Sequence, residues 1–324
     1  MIAKPKIFPD HLAPSPDAPY REGFESLDAR FDALLPSPKP ALRRCWRGAE
    51  WAEGPVYLPA REAVVFSDIP NNRMLRYDCR AGETTVYREP ANFANGNTLD
   101  LEGRILTALH LPHAIGREEP DGSVTILVDS YEGKPLNSPN DLVVKSDGAI
   151  WFTDPPYGIL SDREGKRRES AVGGNFVYRF DPSTEELTVV ASDMDRPNGL
   201  AFSPDESILY VADTGEPKNV LAFEVVAGGK ALSNPREFIA PRPGASDGFR
   251  CDVEGNIWTS AGDGIQCFTP EGELIGKILV PESRCANCCF GGPDFRSLYI
   301  AGDTSLYEVE LAVEGARPKH QSSG

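Results

Sequence analysis

The chain has 324 residues, 40% hydrophobic and 25% charged, the composition of a soluble globular protein with room for a large core. Its formal charge of −16 argues against a nucleic-acid partner, because binding a phosphate backbone leaves a basic footprint. No apolar run reaches the roughly 18 residues that span a bilayer, and the N-terminus has no apolar signal core, so a cytoplasmic location without membrane association is expected.

In chain order, residues 1–40 carry eight of the 29 prolines and predict an arm over the surface. The strand-like "ALRRCWRG" (41–48) follows and has no neighbour in sequence to pair with. Six similar units come next, beginning at Glu53 ("EGPVYLP"), Asn97 ("NTLDLEGRILTAL"), Asn140 ("NDLVVKSDGAIWFTD"), Asn198 ("NGLAFSPDESILYVAD"), Asp247 ("DGFRCDVEGNIWTSA") and Asn287 ("NCCFGGPDFRSLYIAGD"). Each unit has a polar head, a short apolar run, a turn rich in Gly, Pro or Asp, and a second β-rich run. The heads lie 40 to 58 residues apart, near the period of a four-stranded propeller blade. The longest spacing contains a polar stretch between Tyr157 and Asn175, which predicts a mobile loop over one face.

Six units predict an all-β fold, a six-bladed β-propeller spanning 41–312 with a polar tail at 313–324. The last unit lacks a fourth strand, so the strand at 41–48 is expected to complete it and close the ring.

The inner strand of each blade lines a propeller's channel, so the six heads should meet at one mouth. All six bear side-chain oxygen. A second set of residues ends the second strands: Asp68, His110, Asp154, Asp213, Ser260 and Asp303. Converging carboxylates and carboxamides suit a hard divalent cation, with Ca2+ first and Mg2+, Mn2+ or Zn2+ as alternatives. Asp and Asn also end strands because they bond local backbone, and for Asp68, Asp154 and Asp303 that structural role is the preferred one.

These stretches, with "SDIPNNRMLRYD" and "CFGG", resemble the gluconolactonase/regucalcin (senescence marker protein)/luciferin-regenerating enzyme family, bacterial gluconolactonases above all. The resemblance covers roughly residues 46–312. It implies a six-bladed propeller that hydrolyses small lactones, with one divalent cation held by Glu53, Asn140, Asn198 and Asp213. It further implies that Asp213 or water on the cation takes part in hydrolysis, and that Asn97 lies near the substrate. Of the remaining site residues, Asp247 is assigned to substrate binding. His110 is a candidate proton shuttle or hydroxyl contact, and Tyr157 a candidate pocket wall.

Other chemistries fit less well. "GASDG" (244–248) matches a nucleophile elbow but lacks the flanking strand and helix, and only His320 follows it. "CANCC" (285–289) has no second cysteine pair for zinc and is expected to supply buried thiols. A ligand-binding propeller with a structural cation, or a phosphotriesterase-type hydrolase, are the alternative functions.

Overall fold

The structure is a computed structural model that describes residues 23–317. Alternating runs separated by Asp-headed turns give six four-stranded antiparallel blades, consecutive along the chain. Blade 1 comprises Ala52–Leu58, Ala63–Asp68, Arg73–Asp78 and Glu83–Arg88. Blade 2 comprises Ala94–Leu99, Ile105–Leu109, Ala114–Glu118 and Val124–Val128. Blade 3 is built from Leu142–Val144, Ile150–Asp154, Phe176–Asp181 and Glu186–Ala191, and blade 4 from Pro197–Phe202, Ile208–Asp213, Asn219–Val226 and Ala231–Ile239. Blade 5 holds Phe249–Cys251, Ile257–Ala261, Gly264–Phe268 and Leu274–Leu279.

Blade 6 takes only three strands from its own stretch, Cys285–Gly291, Ser297–Gly302 and Ser305–Glu310. Its fourth is Arg43–Arg47, antiparallel to Ser305–Glu310, so the ring is closed by the N-terminal strand expected from the sequence.

Two of the turns inside the inner hairpins share one device. Asp100 Oδ1 accepts from the backbone N–H of Glu102 and Arg104, and Asp252 Oδ1 does the same for Glu254 and Asn256. Such Asp-headed turns fix the hairpin without tertiary help.

The core is divided among the blade interfaces. One cluster joins blades 1 and 2 through Val56, Val65 and Leu109. Others join blades 2 and 3 (Leu106, Ile115, Phe152), blades 3 and 4 (Trp151, Leu200, Val211), and blades 4 and 5 (Tyr210, Phe249, Ile257). Two more join blades 5 and 6 (Trp258, Ile278, Ile300) and blades 6 and 1 (Tyr299, Phe66, Tyr77). Burying one such side chain contributes about 1.5–3 kcal/mol, so each interface is held by several of these increments.

Part of the stretch assigned to a surface arm has regular structure. Gly23–Ser26 adds a fifth strand outside Leu274–Leu279, and the helix Ala29–Ala33, capped by Asp28, sets Phe31 6.0 Å from Trp258. Residues 1–22 of that arm lie outside the described residues, as do residues 318–324 of the tail. The described part of the tail packs back on the ring, with Ala316 N–H donating to the Cys251 carbonyl. The three cysteines of "CANCC" are free and buried, as expected.

Candidate active site at one mouth of the channel

The site is built by irregularities at the start of the inner strands. In blade 4 the ladder slips between Pro197 and Leu200, and in blade 2 between Ala94 and Asn97. A bulge of this kind re-aims side chains. It turns Asn198 and Asn95 toward the channel mouth and returns Asn97 to the ladder opposite Thr107.

The residue after the bulged head is glycine for a reason of space. Gly199 N–H donates to the Asp247 carbonyl at 2.9 Å, and a Cβ there would sit 2.1 Å from that oxygen. Gly54 meets the Asn95 carbonyl just as closely. Bare backbone lets neighbouring inner strands touch, which draws the heads into one small ring.

That ring opens onto a cavity of about 420 Å3, counted to its mouth. Glu53, Asn95, Asn140, Asn198 and Asp247 line its floor, and Trp51, Tyr157, Arg163, Glu164 and Arg284 line its walls. Arg163 and Glu164 come from the long polar loop of blade 3. Arg284 lies over the Trp51 ring at 4.2 Å and within 3.6 Å of Asp303. Tyr157 Oη meets Thr214 Oγ1 at 2.5 Å, and Asn198 Nδ2 donates to the same hydroxyl at 3.2 Å.

Two buried carboxylates face this space. Glu53 accepts from Gly54 N–H at 2.6 Å and from Asn287 Nδ2 at 3.2 Å. Burial, reinforced by the charge of Asp141, pushes its carboxyl up to about 8. No described residue donates a hydrogen bond to the Asp247 carboxylate. Burial, followed by the charge of Glu53, drives that group well above the carboxylate range. Two carboxylates so placed repel unless a proton or a cation sits between them. With Asn140 and Asn198 beside them they form a hard-oxygen donor set that fits a divalent cation. Among the described residues no three His, Cys, Asp or Glu side chains converge, so the donors here are two carboxylates and two carboxamides.

Of the residues expected at the site, Glu53, Asn140, Asn198, Asp247 and Tyr157 are brought together. Asp213, Asn97 and His110 are not among the lining residues.

Asp213, expected as a ligand, is bound to backbone at the end of its strand. Its Oδ2 accepts from Asp195 N–H at 2.8 Å, and its Oδ1 from Arg196 and Gly215 N–H, each at 2.9 Å. Three backbone donors thus hold this carboxylate outside the cavity lining. Asp154 does the same for Asn137 and Ser138, and Asp68 for Glu50 and Trp51. These residues latch the end of each second strand to the segment that enters the blade.

Asn97 is likewise consumed. Its Nδ2 donates to the Gly54 carbonyl at 2.8 Å and its Oδ1 accepts from Thr107 Oγ1 at 2.8 Å. The Asn of "NGN" that lines the cavity is Asn95, which the sequence reading did not single out. The signal was present: Glu53, Asn95, Asn198 and Asp247 all precede glycine.

His110 is fully buried, and burial pushes its imidazole down to about 4. Nδ1 donates to the Glu164 carbonyl at 2.6 Å, which fixes the tautomer, and Nε2 accepts from Asn95 Nδ2 at 3.3 Å. Both nitrogens are engaged within the protein, with the proton on Nδ1. It pins the blade 3 loop on one side and orients Asn95 on the other.

Residues 51–304 match the SMP-30/Gluconolactonase/LRE-like region. A gluconolactonase of Zymomonas mobilis is 32% identical over 309 residues, covering 88% of this chain and 85% of that protein. The lactonohydrolase oryL of Aspergillus oryzae is 28% identical over 303 residues, covering 82% and 68% respectively. The solved structure of a gluconolactonase from Xanthomonas campestris superposes with a TM-score of 0.85 at 36% identity, covering 92% of this chain and 97% of that one. A propeller of this closure, with its oxygen-rich mouth and its match across most of the chain, belongs to the SMP-30/gluconolactonase/LRE-like family.

Proposed function

We propose that this chain is a lactonase that opens small polyhydroxylated lactones to hydroxy acids, with a divalent cation held by Glu53, Asn140, Asn198 and Asp247. The observation that carries this reading is the pair of buried carboxylates, Glu53 and Asp247, lining one small polar cavity. The relatives named gluconolactonase and lactonohydrolase support the reaction class. Ca2+ is the first choice of cation because the donors are carboxylate and carboxamide oxygens.

A bound cation supplies charge for the lactone carbonyl oxygen and makes water easier to deprotonate. The chain's own groups do the rest. Asp247, whose carboxylate accepts no hydrogen bond from the described residues, takes the proton from the attacking water. Asn95, oriented by His110, presents its Oδ1 as an acceptor for a substrate hydroxyl. Arg284 and Arg163 supply donors to the ring substituents, and Trp51 offers an apolar face. A polyhydroxylated ring matches a cavity whose walls carry both donors and acceptors.

The experiment is a panel of sugar lactones, read by acid release, with chelated protein and with Ca2+, Mg2+, Mn2+ or Zn2+ restored. Turnover of sugar lactones that needs added cation is expected. Full turnover by metal-stripped protein rejects the reading.

A further inference from the structure

A second cavity lies at the opposite mouth of the channel. It measures about 910 Å3 when the open solvent at its mouth is counted. Its walls come from all six inner strands and are apolar, with Val56, Leu99, Val143, Phe202 and Phe290 representative. The hydroxyls and amides that border it are largely engaged elsewhere: Asn97 is consumed as described, and Ser203 Oγ bonds Asp205 and Ile208. A polyhydroxylated ring would find few partners for its hydroxyls here.

The floor carries a cation. Arg250 Nη1 donates to the Phe249 carbonyl at 2.7 Å and lies 3.6 Å from Asp141 Oδ2. No described residue accepts a hydrogen bond from its Nε or Nη2, although the side chain is only 19% exposed. Arg317, over the Phe295 ring at 4.7 Å, adds a second positive charge at the rim. The acidic side chain at this mouth, Glu206, is engaged with Lys145 and Ser146. Two arginines, Arg250 beside buried Asp141 and Arg317 at the rim, thus line one apolar cavity.

We propose that this mouth is a binding site for a small organic anion with an apolar body, its carboxylate on Arg250 and its hydrocarbon against the inner strands. A charge-assisted bond to a planar guanidinium with unused donors suits a carboxylate. The walls gain by excluding water from the hydrocarbon. The site is separate from the oxygen-rich mouth and shares none of its lining residues.

Isothermal titration of the full chain with octanoate, 1-octanol and gluconate tests the assignment. Octanoate should bind at one site, 1-octanol at least about tenfold more weakly, and gluconate not measurably. Thr98→Trp and, independently, Val143→Trp fill the cavity from two blades without touching Arg250, and each should abolish octanoate binding while melting cooperatively. Equal affinity for octanoate and 1-octanol, or octanoate binding that survives in a folded filled variant, overturns the proposal. Binding seen only after residues 318–324 are removed also overturns it, by assigning the cavity to the chain's own end.

Discussion

Asn287 Nδ2 donates to Glu53 Oε2 across 3.2 Å, joining the inner strand of the last blade to that of the first. It is the only side-chain donor to Glu53 among the described residues, so it decides which way that carboxylate faces. A partner that orients a ligand typically governs about 10–100-fold in metal affinity. Asn287→Leu should therefore weaken Ca2+ binding by about that factor while the protein still melts cooperatively. Unchanged affinity, measured calorimetrically, rejects Glu53 as an oriented ligand.

Asp247 and Asp213 make a matched pair of tests. Asp247→Asn removes the acceptor of the water's proton and should lower kcat by on the order of 100-fold or more, with little change in Tm. Asp213→Asn replaces one acceptor oxygen by a donor and leaves at least one buried backbone N–H unpaired. That costs about 1–3 kcal/mol of stability and should leave kcat within a few-fold of wild type. The reverse pattern would restore Asp213 to the role first expected of it.

His110 makes a pH prediction whose sign follows from burial. Its folded imidazole titrates near about 4, against 6.5 for an unperturbed one. Above pH 6.5 both states are neutral and the group contributes no pH dependence. As pH falls from 6.5 toward 4, the unfolded chain takes up a proton that the folded one refuses, so stability drops. The loss from this group approaches about 3 kcal/mol. His110→Gln, which cannot titrate, should lose that much less between those two pH values in urea titrations. Parallel pH profiles for the two proteins would contradict the buried neutral tautomer.

The close approach of blades 4 and 5 can be tested at one glycine. In Gly199→Ala the new Cβ would lie 2.1 Å from the Asp247 carbonyl, so the two inner strands must part. The expected cost is about 1–3 kcal/mol, with a fall in kcat because Asn198 and Asp247 flank the contact. A variant with wild-type Tm and kcat would show that the heads do not depend on this contact.

The architecture was legible because it repeats. Six copies of one hairpin pattern, one incomplete unit and one unpaired strand at 41–48 define a closed ring without any tertiary information. Four heads, at Glu53, Asn140, Asn198 and Asp247, were legible for the same reason. Register was not. The bulges at Asn95–Gly96 and Asn198–Gly199 add a residue that simple alternation cannot see, and in blade 2 this exchanged Asn95 for Asn97. For Asp213 the sequence offers no choice between a latch and a ligand, because both are the same residue at the same strand end. Only the three backbone N–H groups around it tell them apart. The cation-floored cavity at the far mouth had no signal at all, since Arg250 follows an unremarkable Phe249.

The central claim is that Glu53 and Asp247 hold one divalent cation, and direct calorimetric titration of metal-stripped protein with Ca2+ tests it. Binding of one ion is predicted, lost in Glu53→Gln and in Asp247→Asn and kept in Asp213→Asn. Binding that persists in Asp247→Asn, or is lost only in Asp213→Asn, would contradict it.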